Sequence, residues 1–409
     1  MVWSGVSLKS DPRRIVRSDQ EPTTTFLPAN DGEHMKSALL ALAASLLLPA
    51  PAPARLVLPT PTGPHDVGTV SLHLVDPSRT DPFTNAPREL MISLWYPARE
   101  ADRYPVAPWL PSGVFTRMLS DEGIPPGTVQ APATHGHDGA PVDRRDGPLP
   151  VVLYSHGNNS TRADTAPIVE ELASRGYLVV TIDHTFDDYV QFPDGRVLVP
   201  VPDGTENAAV IYWQRVADTR FVVDQVAAIN AGADPDVDHH QLPAGLRGTV
   251  DLCKVGMMGY SAGGATVAGA MAEDRRITAG LSLDGAVTSE VAAEGLDRPY
   301  LLMGITHARD NDPDLATLWS HLTGWKGDVR LQNATHAGYS VDEVFIPQLA
   351  QVMHWSAGDV LAQLGTLAPD RAVAVQQSYP AAFFDLQFRH RGHLLDGPSS
   401  RFPDVRYYP

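Results

Sequence analysis

Cysteine is nearly absent from this chain of 409 residues, since Cys253 is the only one. A single thiol excludes an internal disulfide framework and any zinc site built from several cysteines. Lysine is also scarce, because the sequence contains only Lys9, Lys36, Lys254 and Lys326, and the basic residues form no run. A polybasic patch that would bind an anionic membrane surface is therefore not expected.

Positive charge is in deficit overall. The chain has 31 Lys and Arg residues against 48 Asp and Glu residues, which gives a formal net charge of −17. A polyanion would be repelled by this charge, so nucleic-acid binding is not expected. Hydrophobic residues make up 43% and charged residues 19% of the sequence, which is typical of a globular protein rather than a disordered one.

The chain also lacks an apolar run long enough to cross a membrane. The longest such run, 38–50, follows one basic residue and precedes Pro-Ala-Pro-Ala, whereas an integral membrane span needs about 20 residues. A short apolar core with a small-residue ending is typical of a secretory signal peptide. We therefore expect a disordered leader over 1–34 upstream of the true start at Met35, a signal peptide over 35–54, and a secreted mature protein.

Short apolar segments alternate with helical ones after residue 148. The strands 151–154, 177–182, 255–258, 279–283, 300–305 and 329–331 are separated by segments such as 164–174 and 213–229. This alternation predicts a mostly parallel sheet with helices on both faces. Before it, 67–75 and 88–96 predict an antiparallel hairpin. We expect one α/β catalytic domain over 55–409, with its core at about 148–360 and an N-terminal antiparallel β extension.

Three other segments are predicted to be less regular. The proline-rich stretch 56–64 indicates a linker, and 105–146, dense in Pro, Gly, His and Asp, indicates an irregular excursion. In the C-terminal tail, Pro380 is expected to break or kink a helix that starts at 372.

The strongest local motif is Gly-Tyr-Ser-Ala-Gly at 259–263, which follows the strand 255–258 and precedes a helix of small residues. This G-x-S-x-G pattern in a strand–turn–helix context predicts a nucleophile elbow that presents Ser261 at the carboxyl edge of the sheet. The helix that follows offers backbone N–H groups to a developing oxyanion. Ser261 is thus predicted to be a catalytic nucleophile.

A serine nucleophile needs a base and an acid that orients the base. His336 follows the last predicted strand and is the favoured base, with His307 as its rival. Asp284 and Asp310 or Asp312 each follow a strand that ends at the catalytic edge, so the pattern alone leaves the acid open.

An oxyanion hole requires two N–H donors. The backbone group of Ala262, directly after the nucleophile, supplies one. Asn158 is the best candidate for the other, because it lies in the loop Ser155-His156-Gly157-Asn158 that follows the strand 151–154, where this fold places such a donor.

These motifs resemble the plasma-type platelet-activating factor acetylhydrolases and the related bacterial secreted esterases and lipases. The resemblance covers about 65–350 and rests on 256–270, 273–276, 280–284, 154–157, 183–184 and the segment around His336. It implies an α/β-hydrolase fold and calcium-independent cleavage of short or oxidised acyl chains from phospholipids. It further implies Ser261 as nucleophile, His336 as base, Asp284 as acid, and the backbone of Asn158 and Ala262 as oxyanion donors.

The sequence thus predicts a serine esterase or lipase that acts on a small ester or phospholipid and needs no cofactor or metal. A cutinase-like polyester hydrolase or a peptidase of the same fold is the alternative, and a non-catalytic binding module is a more distant one. Two His- and Asp-rich segments, 135–138 and 234–240, are interpreted as loops rather than metal sites. The sequence makes no prediction of oligomeric state.

Overall fold

Strands that alternate with helices form one eleven-stranded sheet in the computed structural model, which describes residues 53–202 and 204–409. The predicted leader over 1–34 and all but the last two residues of the predicted signal peptide lie outside the described residues. Within the described part, no helix combines the length and the apolar character needed to cross a membrane.

The strands are numbered β1 to β15 in chain order. They span Ala54–Arg55, Asp66–Thr80, Pro87–Ala98, Val106–Pro108, Val129–Gln130, Ala133–Asp138, Leu149–Ser155, Leu178–Ile182, Val190–Gln191, Val197–Leu198, Val250–Tyr260, Ile277–Leu283, Tyr300–Gly304, Lys326–Leu331 and Val405–Tyr407.

The α-helices are numbered α1 to α9 in the same way. They span Ser112–Asp121, Ala166–Ser174, Thr205–Ala231, Ala262–Glu273, Ser289–Glu294, Pro313–His321, Asp342–Met353, Ala357–Leu364 and Pro369–Arg389, and two 3₁₀ turns span Ala101–Arg103 and His336–Tyr339.

The predicted α/β-hydrolase architecture is confirmed. The strand order is β15-β14-β13-β12-β11-β7-β8-β3-β2-β6-β4. The strands from β14 to β8 run parallel, while β3 pairs antiparallel with both β8 and β2. The predicted N-terminal hairpin is therefore the β2–β3 pair, and it extends the parallel sheet through β8.

Both faces of the sheet are buried, which explains why its central strands are apolar without alternation. One face packs against α3, α4, α5 and α6, and the other packs against α2 and α9. All parallel strands end at the same edge. That edge therefore gathers the loops after β7, β11, β12, β13 and β14, which carry every predicted site residue.

The prediction of irregular structure over 105–146 is wrong, and the one for 56–64 is confirmed only in its lack of helix or strand. The stretch 105–146 contains β4, α1, β5 and β6, and β6 pairs with β2 at Val67↔Gly136. The stretch 56–64 has no helix or strand, but it is packed onto the domain, because Leu56 and Leu58 are buried with Trp109 in a third apolar cluster. In 105–146, long-range strand pairing outweighs the local preference of proline and glycine for turns.

The C-terminal tail forms a single helix, although Pro380 lies inside it. Tyr379, Phe383 and Phe384 on either side of the proline are fully buried against the sheet. Burial of one large aromatic side chain contributes about 1.5–3 kcal/mol. Several such contacts offset the hydrogen bond that the proline removes, which costs about 3 kcal/mol.

Glu343 in the first turn of α7 gives the fold a pH dependence. Its side chain is 1% exposed, and neither carboxyl oxygen has a hydrogen-bond partner within the described residues. Burial, together with the neighbouring Asp342, raises the pKa of Glu343 to about 8. Between about pH 4.5 and pH 8, the folded chain keeps a proton on Glu343 that the unfolded chain has already released.

The contribution of Glu343 to stability is therefore expected to fall as the pH rises from about 4.5 to about 8. We expect Glu343→Gln to raise the melting temperature at pH 8.5 by several degrees and to leave it unchanged at pH 4.5, because each pKa unit is worth about 1.4 kcal/mol. Thermal scans across this pH range measure the melting temperature of the variant, with Glu294→Gln, at an exposed position, as control. If the melting temperature changed with pH equally in both variants, the assignment to Glu343 would be contradicted.

Candidate active site

The predicted nucleophile elbow is a tight junction between β11 and α4. Ser261 stands between the two elements with φ 55° and ψ −117°, a strained region for a residue with a side chain. A Cβ atom on Gly259 would lie 2.2 Å from the Gly263 carbonyl oxygen, and one on Gly263 would lie 2.0 Å from the Ser155 carbonyl oxygen. Glycine is therefore required at both positions.

Three of the predicted site residues form a continuous hydrogen-bonded line. The Ser261 hydroxyl lies 2.8 Å from His336 Nε2, and His336 Nδ1 lies 2.6 Å from Asp284 Oδ2. Because the carboxylate accepts the Nδ1 proton, Nε2 is left as an acceptor for the serine proton. The three side chains are supplied by loops after β11, β12 and β14.

Asp284 is held as a carboxylate. Its Oδ1 accepts the backbone N–H groups of Ile305, Thr306 and His307 at 2.7, 2.8 and 2.8 Å, and Oδ2 accepts the Thr306 hydroxyl at 2.7 Å. Burial alone would raise the pKa of Asp284, but the hydrogen bonds from His336 and Thr306 and the backbone donors lower it below its usual value. The orienting charge is thus retained at neutral pH.

The imidazole of His336 is fixed from a second side by Tyr260. The two rings stack with centroids 4.9 Å apart, and the Tyr260 hydroxyl donates to the His336 carbonyl oxygen at 3.0 Å. Burial, followed by the nearby carboxylates of Asp342, Asp164 and Asp284, raises the pKa of Tyr260 well above its ordinary value. Tyr260 therefore remains a neutral donor.

The rival base and acids lie elsewhere. His307 is about half exposed, and its ring centroid lies 6.0 Å from that of His336. Asp310 forms a two-pronged ion pair with Arg330, at 2.6 Å for each oxygen. Asp312 accepts backbone N–H groups at the start of α6. None of these three side chains contacts Ser261.

The two predicted oxyanion donors share one cleft. Asn158 and Ala262, the residue that follows Ser261, both line a cavity of about 560 Å³. Ala262 is the first residue of α4, so its N–H has no partner within the helix. Ala208, Ile211 and Tyr212 of α3 supply an apolar wall of this cleft.

Sequence reasoning missed Arg215 of α3, which also borders this cleft and is 1% exposed. A usable signal exists, because Arg215, Asp218 and Val222 stand at i, i+3 and i+7 and so share one face of α3. That face is otherwise buried and apolar, with Val222, Val226 and Ile229 in the core. Two charged residues of opposite sign at the start of an otherwise apolar, buried helix face predict a buried polar network.

The two segments set aside as metal candidates have different structures. His135 lies in strand β6 rather than in a loop, and its Nδ1 is 2.7 Å from Glu170 Oε2. Asp236, Asp238 and His240 do lie in a loop, with potential ligand atoms within 4.8 Å of one another. His240 Nδ1 is 2.6 Å from Asp236, so this carboxylate already has a protein partner.

A second cavity, of about 420 Å³, lies over β2, β3 and β8, with Trp95 and Trp109 among its lining residues. It contains none of the five predicted site residues, and so it is separate from the cleft that Asn158 and Ala262 line.

A serine on a strand–helix elbow, hydrogen-bonded to a histidine at the carboxyl edge of an α/β sheet, defines the class of α/β-hydrolases that includes the serine esterases. The profile of the family described as platelet-activating factor acetylhydrolase, isoform II, matches residues 52–189. A probable 1-alkyl-2-acetylglycerophosphocholine esterase of Arthroderma benhamiae is 29% identical over 86% of this chain and 94% of its own.

Two further proteins extend the comparison. The platelet-activating factor acetylhydrolase of Cavia porcellus is 26% identical over 56% of this chain, a match that spans 55% of the guinea pig enzyme. The solved structure of a ferulic acid esterase from Streptomyces cinnamoneus superposes with a TM-score of 0.74 and 33% identity, over 87% of this chain and 99% of its own.

The chain therefore belongs to the α/β-hydrolase family of the plasma-type platelet-activating factor acetylhydrolases and their bacterial esterase relatives. It is a carboxylic ester hydrolase, as the sequence predicted.

Proposed function

We propose that this chain hydrolyses short-chain acyl esters of lipids through Ser261, His336 and Asp284. The observation that carries the proposal is the 2.8 Å contact between the Ser261 hydroxyl and His336 Nε2, continued at 2.6 Å to Asp284. The serine hydroxyl is a weak nucleophile unless a base takes its proton. Here the base is oriented and kept in the correct tautomer by a buried carboxylate.

The reaction proceeds in two halves. Ser261 Oγ attacks the ester carbonyl carbon while His336 Nε2 takes the hydroxyl proton, and Asp284 stabilises the imidazolium that forms. The backbone N–H groups of Asn158 and Ala262 hold the oxyanion of the tetrahedral intermediate. His336 then gives the proton to the leaving alcohol. A water deprotonated by His336 attacks the acyl-enzyme, the bond from the acyl carbon to Ser261 Oγ breaks, and His336 returns the proton to Oγ as the acid leaves. No step requires a metal or cofactor.

The lipid substrate is supported by the names of the relatives. The Arthroderma protein is described as an esterase of an alkyl-acetyl-glycerophosphocholine, and it matches 94% of its length to this chain. Ala208 and Ile211 give the cleft an apolar wall. Export belongs to the same proposal and is supported by the short apolar run 38–50 behind a single lysine.

A second substrate class is favoured by the size of the cleft. A volume of about 560 Å³ falls within the range of pockets that enclose a whole drug-sized ligand, and an acetyl group would leave most of it empty. The ferulic acid esterase, whose structure matches this chain over 99% of its length, is named for an aromatic acyl group. Aryl-acyl esters are therefore the competing substrates.

A substrate panel tests the proposal. The short-chain assignment predicts a higher kcat/KM on p-nitrophenyl acetate and butyrate than on the octanoate, and hydrolysis of a 2-acetyl phospholipid in excess EDTA. Methyl ferulate cleaved with a higher kcat/KM than the 2-acetyl phospholipid would replace the lipid assignment by the aromatic one. Polyester film and peptide amide substrates test the remaining rivals, and a chain inactive on all these esters would contradict the function.

A further inference from the structure

We propose that Arg215 is a positioning residue that aims the oxyanion-binding N–H of Asn158 at the reaction centre. The inference rests on the proposed function, since it concerns the donors of that site. Arg215 is not required to touch the substrate. Its role is to hold the peptide between Gly157 and Asn158 in one orientation.

The guanidinium of Arg215 is buried under the loop that follows β7. Its Nη1 donates to the His156 carbonyl oxygen at 2.6 Å and to the Ser155 hydroxyl at 3.1 Å, and its Nη2 donates to the Gly157 carbonyl oxygen at 3.2 Å. Its Nε pairs with Asp187, which neutralises the buried charge. One rigid fork therefore holds three consecutive residues of the loop.

The contact to Gly157 determines where the next N–H points. The carbonyl and the N–H of a trans peptide point in opposite directions, and the described residues contain no cis peptide. The Gly157 carbonyl oxygen is directed toward Arg215 and also accepts a hydrogen bond from His156 Nδ1 at 2.6 Å. The N–H of Asn158 must therefore point away from Arg215, on the side of the peptide opposite to the buried network.

A buried network behind the loop prevents Arg215 from moving. His184 lies between Ser155 and Asp218, with Nε2 2.9 Å from the Ser155 hydroxyl and Nδ1 3.1 Å from Asp218 Oδ2. Burial, with Arg215 and His156 close by, lowers the pKa of His184 to about 3, against the opposing effect of Asp218. His184 is thus neutral, and its Nε2 accepts a hydrogen bond from the Ser155 hydroxyl. The Ser155 oxygen in turn accepts a hydrogen bond from Arg215 Nη1.

This Ser155–His184–Asp218 line copies the connectivity of a catalytic triad. All three side chains are at most 1% exposed, and the Ser155 hydroxyl already accepts from Arg215. The line therefore serves as a support for the loop and does not act as a second nucleophile.

The test compares an ester with its thionoester in Arg215→Lys. Lysine keeps the charge but has a single point donor in place of the fork. Sulfur accepts hydrogen bonds weakly, so hydrolysis of the thionoester depends less on the oxyanion donors. We expect kcat for the ester to fall by about 100-fold, near the low end of the cost of losing one donor, with KM nearly unchanged. The ester-to-thionoester rate ratio should fall with it.

The ratio separates positioning from mere loss of folded enzyme, because a smaller active fraction lowers both rates equally. Arg298→Lys is the matched control. Arg215 donates to two backbone carbonyls and one hydroxyl, and Arg298 likewise makes three donations, to the carbonyls of Met271, Asp274 and Ile277, but at the far end of α4. Asp187→Asn, which loosens the guanidinium without removing it, is the second variant should Arg215→Lys fail to fold.

If Arg215→Lys or Asp187→Asn keeps the parental ester-to-thionoester rate ratio and Ser261→Ala is inactive, the proposed role of Arg215 is wrong and the proposed function stands. Activity in Ser261→Ala overturns the proposed function and this inference with it. A reduced ratio in the Arg215 and Asp187 variants and an unchanged one in Arg298→Lys supports the proposal.

Discussion

Replacement of Ser261 by alanine is expected to lower kcat on p-nitrophenyl acetate by about 10⁴- to 10⁶-fold. The Ser261 hydroxyl is the group that His336 Nε2 can deprotonate at 2.8 Å, and without it no acyl-enzyme forms. The oxyanion donors and the cleft remain, so a small residual rate over water is expected. Steady-state kinetics on the purified full-length chain measure the loss.

A matched serine variant controls for indirect effects. Ser289 is exposed at the start of α5, where its hydroxyl bonds only to Asp314 among the described contacts. Ser289→Ala should keep the parental kcat, and both variants should keep the parental melting temperature. A Ser261→Ala enzyme that retains a tenth or more of the parental rate would rule out Ser261 as the nucleophile.

Asp284→Asn is expected to produce the second largest loss, of about 10³- to 10⁴-fold in kcat. Three backbone N–H groups converge on Oδ1, so the single amide oxygen of asparagine will occupy that position. The amide NH₂ then faces His336 Nδ1 and donates to it. This forces the imidazole proton onto Nε2, which can no longer accept the proton of Ser261.

Asp310→Asn is the control for the acid, because both aspartates follow strands that end at the same edge. Asp310 contacts Arg330 and not His336, so its replacement should leave kcat within about twofold, as for ordinary surface substitutions. The reverse pattern, with Asp310→Asn inactive and Asp284→Asn active, would contradict the assignment of the acid.

The sequence was most informative where one short segment carries the whole signal. The glycines at 259 and 263 are needed for local contacts around Ser261, so the motif alone predicts the elbow. The central strands are buried on both faces of the sheet, so each one is a short, continuous run of apolar residues. These runs can be recognised in the sequence between the helical segments. In β2 of the N-terminal hairpin, apolar Val70, Leu72 and Leu74 alternate with polar residues, which is the period of a strand.

The sequence was least informative where long-range packing decides. Asp284 and Asp310 both follow strands that end at the catalytic edge. Only the three-dimensional arrangement of the loop 305–307 shows that Asp284 receives the backbone N–H donors. The strand β6 contains glycine and two histidines, so its local preference is for a loop, and pairing with β2 overrides it. Pro380 remains within a helix because aromatic side chains on both sides are buried.

Arg215 shows a different kind of limit. Its charge predicts exposure, and its burial becomes intelligible only when the carbonyl groups of His156 and Gly157 are placed against it. These residues lie about sixty positions away along the chain. The sole signal of this contact in a single sequence is that two charged residues, Arg215 and Asp218, lie on the inner face of α3.

The most direct measurement of the central claim is the site of covalent capture. The full-length enzyme would be treated with a fluorophosphonate probe, digested, and mapped by mass spectrometry, with the Asp284→Asn variant in parallel. The account predicts one adduct, on the peptide that contains Ser261, and far slower labelling when the orienting carboxylate is lost. An adduct on Ser155 or on any other serine, or equal labelling rates in the two proteins, would contradict it.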